Sequence, residues 1–162
     1  MTSNKLNVAQ MVLAVPANIK LLFAILLGLL LSATLRAEMP VGQIKISGHI
    51  LTVEIAHTEA ARSQGLMFRQ SMDENSGMLF IFPQPGRYSM WMMNTDIPLS
   101  VAFMDENGVI LNIADMTPRT ATAHRSAGAA KYAVETNLGW FAARNVKPGD
   151  RVTGLEKAPL AE

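Results

Sequence analysis

Residues 87–113, RYSMWMMNTDIPLSVAFMDENGVILNI, admit few folds. Side chains alternate between faces along a strand. Met90 and Met92 therefore share one face, and Trp91 and Met93 share the other. With large apolar residues on both faces, this segment is expected to be an inner strand. Asn94, Thr95 and Asp96 follow, short polar residues that bond to nearby backbone and favour turns. Pro98 has no N–H and pushes Ile97 toward extended geometry. The chain must bend at residues 94–98, with polar side chains gathered at the bend. Residues 99–104 form a second apolar strand, and Asp-Glu-Asn-Gly at 105–108 is a hairpin turn, because Asn-Gly readily supplies positive φ. Residues 109–113 return as the partner strand.

The flanking chain follows the same grammar. Residues 43–47 and 50–56 alternate about Gly48-His49 and read as a hairpin, with Leu51, Val53 and Ile55 on one face. Thr58 is a good N-cap for a short helix that Gly65 ends. Residues 77–82, GMLFIF, form a continuous apolar run and are expected to be a buried strand, with a turn at 83–86. Residues 117–131 make a long polar loop, of a length that is uncommon and often functional. Residues 132–138 alternate as a strand, 139–145 suit a helical turn, and 151–155 form a last strand. The reading is seven or eight short strands with no βαβ rhythm: a mainly-β domain, a small antiparallel β-sandwich or barrel with one or two short helices.

The first 37 residues differ in kind. They contain Lys5, Lys20 and Arg36, no acid, and the apolar run LLFAILLGLLLSATL at 21–35. That run is short for the hydrocarbon core of a bilayer. A basic region, an apolar run and small residues near Ala37 are the layout of a secretory signal peptide, with an uncleaved signal anchor as the alternative. The organisation expected is a signal peptide at 1–37, a linker at 38–43, a domain at 44–156 and a tail at 157–162, in a periplasmic or secreted protein. Beyond residue 37 the chain carries 11 Lys+Arg against 13 Asp+Glu and has no basic run, so nucleic-acid binding has little support and no nucleic-acid partner is expected. The membrane is expected to be met only through the N-terminal segment. The chain has no cysteine, which excludes disulfides and thiolate chemistry and leaves the core to hold the fold.

Several motifs occur in order: Arg62-x-x-Gly65-Leu66-Met67-x-Arg69, Gly77-Met78-Leu79-Phe80, and Trp91-Met92-x-Asn94-Thr95-x-Ile97-Pro98-Leu99. With Val134-Glu135, Gly139 and Gly149-Asp150, they resemble the bacterial and archaeal domain of unknown function 192 family over residues 44–155. The resemblance implies a compact mainly-β domain, often exported, and implies no activity. Two positions depart from it: Met93 stands where the family usually has Lys, and Ser100 where it often has Asp.

The candidate ligand-binding residues are Arg62, Arg69, Trp91, Asn94, Thr95 and Glu135. On the functional reading the arginines hold an anionic group, Asn94 orients it, and Trp91 stacks on a sugar or base. On the structural reading Arg62 or Arg69 pairs with Glu135, Asn94 and Thr95 bond the corner backbone, and Trp91 is core. His57 and His124, with Asp96, Asp115 or Glu135, leave a hydrolase open, but no H-E-x-x-H, G-x-S-x-G, P-loop or G-x-G-x-x-G pattern occurs. Nine methionines follow Ala37, and thioethers select Cu(I), yet methionine also fills irregular cores. The leading expectation is an exported β domain that binds a small molecule or envelope component, with no metal or cofactor.

Overall fold

The computed structural model describes residues 39–162. The signal-peptide expectation for residues 1–37 lies outside them. Among the described residues, the strands in chain order are β1 (Val41–Ile46), β2 (His49–Ala56), β3 (Ser76–Gly86), β4 (Ser89–Met90), β5 (Leu99–Met104), β6 (Ile110–Met116), β7 (His124–Arg125), β8 (Ala130–Asn137) and β9 (Val152–Thr153). One helix, α1 (Glu59–Gln64), lies between β2 and β3, and two short 3-10 turns follow β8 and β9. Seven strands form one curled sheet in the order β6-β5-β8-β3-β2-β1-β9, and β4 and β7 make a separate two-stranded ribbon. The fold is mainly β, as the alternation and turn signals require.

Local chemistry explains the joints. Ser47 and Gly48 both take positive φ between β1 and β2. The Thr58 hydroxyl accepts the Ala61 N–H and caps α1, and Gly65 closes it. Asp105 accepts the N–H groups of Asn107 and Val109, which fastens the turn from β5 toward β6.

The sheet is covered on both faces, which is why its central strands read as unbroken apolar runs. On β3, Leu79 and Ile81 join a core with Leu51, Val53, Val134 and Phe141. Met78, Phe80 and Phe82 point the other way, into a second core with Leu66, Met92, Ile97, Val101 and Phe103. The second core is roofed by α1 and the corner segment, and it borders the candidate site.

Four local expectations are corrected. First, β2 and β3 are parallel, joined by a crossover that contains α1; every other pairing is antiparallel. Second, residues 83–86 continue β3 rather than turning. The ladder skips between Ile81 and Gly86, where Pro83 has no N–H to donate. Third, the inner strand expected at 89–93 is two residues long and belongs to the ribbon. Met90 and Met92 do pack on the second core, but Trp91 and Met93 face solvent. Fourth, residues 41–43, read as linker, lie in β1, and the segment read as a tail folds back so that the Glu162 N–H donates to the His57 carbonyl.

Candidate functional site

Glu135 sits on β8 opposite Met78 of β3 and Val101 of β5, on the face turned toward the second core. Its backbone is enclosed tightly: a Cβ at Gly77 on β3 would press into the Glu135 carbonyl. The residue is 5% exposed. Among the described residues its carboxyl has no hydrogen-bond or ion-pair partner. Burial pushes that carboxyl up to about 8 from an ordinary 4.5, so it is mostly protonated at neutral pH.

Glu135 lines a hollow of about 270 Å³. α1 and the loop after it contribute Arg62, Leu66 and Met67, β3 contributes Phe80, and the segment after it contributes Met90, Trp91 and Thr95. Thr95 is buried; its N–H donates to the Met92 carbonyl and its own carbonyl accepts from Arg119. Trp91 is 52% exposed, so it is not core. The bend that lifts it is also where the Phe68 N–H donates to the Asn94 carbonyl. Phe68 itself is 70% exposed and adopts φ of 65°, an uncommon conformation for a bulky residue.

Four of the six candidate residues, Arg62, Trp91, Thr95 and Glu135, therefore face one hollow, and two do not. The Asn94 side chain lies outside it, with its amide against the Met67 sulfur at 3.8 Å. Arg69 pairs with Glu54 at 2.6 Å and lines a different hollow of about 310 Å³ beside Asp73 and Thr52. Arg62 does not pair with Glu135 either. Its guanidinium donates to the backbone carbonyls of His57, Ile81 (3.0 Å) and Glu162 (2.7 Å), fastening α1 to β3 and to the returning C-terminal segment. Both arginine assignments to Glu135 are thus corrected, because each guanidinium is taken up by other oxygen acceptors.

The catalytic candidates are dispersed. Asp96 is held by Arg119 and Gln70 on the exposed corner, and the Arg119 bond keeps its carboxyl below the usual range. Asp115 accepts the Ser100 hydroxyl, whose oxygen also accepts the Gly139 N–H. Ser100 is fully buried, so an Asp there would set two carboxyls against each other across β5 and β6. His124 pairs across the ribbon with Met90 and does not line the hollow. Sequence reasoning overlooked Met67 and Phe80 as lining residues. Phe80 lies in a run that reads as a buried strand, and Met67 has no structural reading of its own; the crossover shows that both border an opening.

The DUF192 family model, described as an uncharacterised ACR, matches residues 42–154. Two crystal structures are similar. One, a candidate transcription regulator from Sinorhizobium meliloti, is 34% identical with a TM-score of 0.71, and the match covers 74% of this chain and 98% of that one. The other, a protein of unknown function from Novosphingobium aromaticivorans, is 32% identical with a TM-score of 0.69, and the match covers 75% of this chain and 90% of that one. No curated protein matches.

Proposed function

The chain belongs to the DUF192 family, and from that premise we propose that its β domain is a small-molecule binding module. The binding place is the hollow bounded by Arg62, Trp91, Thr95 and Glu135. One observation carries the reading: a carboxyl on an inner strand is left without a partner at the edge of an apolar core, facing an open space. Among the described residues His57 Nδ1 is the one buried side-chain polar atom cut off from both a partner and solvent; the Glu135 oxygens are instead reached from the hollow. Here the missing partner is supplied by the ligand. At about 270 Å³ the hollow is slightly below the usual size of ligand sites, which suits a small ligand.

The acid-free N-terminal segment supports export to the periplasm or beyond, where the ligand is a solute or an envelope component. Transcription regulation, the role named for the Sinorhizobium structure, has little electrostatic support here if it requires nucleic-acid binding, since acids outnumber bases beyond residue 37. A hydrolase reading rests on the same carboxyl, because a raised pKa suits a general acid or base. The hydroxyls of Ser63, Ser89 and Thr95 share the hollow, but among the described residues no second carboxylate or histidine lines it to activate them. A Cu(I) reading is reduced to Met67 and Met90, since Met92 is sealed in the core.

The test is a thermal-shift survey of the purified full chain against amines, organic acids, sugars and wall fragments. Wild type is expected to be stabilised by at least one class, and Glu135→Gln to lose that gain. If no compound raises the midpoint of wild type by more than it raises that of the variant, the module does not bind there. Fractionation of producing cells, with mass measurement of the mature N-terminus, tests export: a cytoplasmic, uncleaved product overturns it.

A further inference from the structure

The hollow is asymmetric in charge. The two arginines that could have held an anion are spent, Arg62 on three carbonyls and Arg69 on Glu54 in another hollow. Arg62 is the other charged side chain lining the space. From β3 and β5 the residues registered against Glu135 are Met78 and Val101, and the corner segment contributes Met90, Trp91 and Thr95; none of these titrates near neutrality. Glu135 is therefore the one ionisable group in the hollow without a protein partner. The remaining walls include Leu66, Met67 and Phe80, and the half-exposed indole of Trp91 is an aromatic surface on which a cation gains attraction.

Resting on the binding reading above, we propose that the hollow selects a small molecule bearing a protonated amine on an apolar body. The ammonium sits on the Glu135 carboxylate, and the apolar part lies against Leu66, Met67 and Phe80 beside Trp91. The proton balance follows. The free site holds a neutral carboxyl at neutral pH. A primary amine arrives charged, so forming the ion pair releases the carboxyl proton to solvent. Affinity must then climb with pH until Glu135 is ionised without help, at about pH 8, and level off above it. A neutral acceptor, such as a carbonyl compound, uses the carboxyl as a donor. It releases no proton, and its affinity falls through the same region.

Isothermal titration of the full chain with 2-phenylethylamine, between pH 6 and 9 and in two buffers of different ionisation enthalpy, decides it. The controls are 2-phenylethanol and 3-phenylpropionate. The expected result is amine binding that tightens about tenfold per pH unit from 6 to 7, with close to one proton released per amine. The two controls should bind at least tenfold more weakly. Glu135→Gln should weaken amine binding at pH 8 by more than tenfold. Trp91→Ala, at an exposed position that spares the fold, should weaken it severalfold. If a control binds as tightly as the amine, or amine affinity falls as pH rises through 8, the ammonium assignment is overturned while the hollow remains a binding site. If none of the three probes binds and the wider survey also fails, both readings fall together.

Discussion

The guanidinium of Arg69 lies 2.6 Å from the Glu54 carboxylate, in a hollow separate from that of Glu135. Arg69 follows the crossover and Glu54 belongs to β2, so the pair ties the loop after α1 to the sheet. Both side chains keep about a third of their exposure, so water screens the attraction. Arg69→Ala is expected to cost under about 1 kcal/mol in urea unfolding. Its expected effect on the titration of Glu135, followed by NMR of the side-chain carboxyl carbon, is nil; a shift would mean that Arg69 reaches the hollow after all.

Glu135 makes stability depend on pH in a defined direction. Its folded carboxyl titrates near 8 and its unfolded one near 4.5, so the unfolded state gives up the proton first as pH rises. Stability attributable to this group is therefore fullest below pH 4.5 and falls between 4.5 and 8, by roughly 5 kcal/mol as an upper bound. Glu135→Gln removes the dependence. The variant is expected to match wild type near pH 4.5 and to exceed it by a few kcal/mol at pH 8. Urea midpoints that keep the two proteins equal at pH 8 would show the carboxyl to be solvated.

Arg62 is a three-way clamp. Replacing it by Ala leaves the His57, Ile81 and Glu162 carbonyls without their shared donor, at an expected cost of roughly 2–4 kcal/mol. Lysine has a single ammonium in place of the planar fork and should recover only part of this. Hydrogen exchange at the Glu162 amide, which bonds to the His57 carbonyl, reports the loosening directly; unchanged exchange in Arg62→Ala would show the clamp to be idle.

Phe68 carries strain with little packing to repay it, being exposed at positive φ. Phe68→Asn, a residue that tolerates the left-handed region, is expected to raise stability by up to about 1 kcal/mol. If the strained turn serves to hold the Trp91 bend, the same variant keeps its fold and leaves affinity at the hollow unchanged, because Asn preserves the φ. Lower stability in urea unfolding would show that the phenyl ring packs in solution.

Much of this domain was legible in residue order, because the signals concerned were local. Period-two alternation put Leu51, Val53 and Ile55 in the core, Thr58 and Gly65 bounded α1, and Asn107-Gly108 closed the β5–β6 turn. Each depends on residues within a few positions of one another. The partners of charged side chains do not. Whether Arg62 met Glu135 or a row of carbonyls, and whether Trp91 was roofed or bare, depended on which strand lay beside which. The parallel placement of β3 next to β2 decided that, by sending α1 across the sheet face above Glu135. Backbone preference acts through short-range sterics and hydrogen bonds, so the order of residues carries it. A carboxyl's partner is set by distances between segments far apart in the chain, and only the folded sheet determines those.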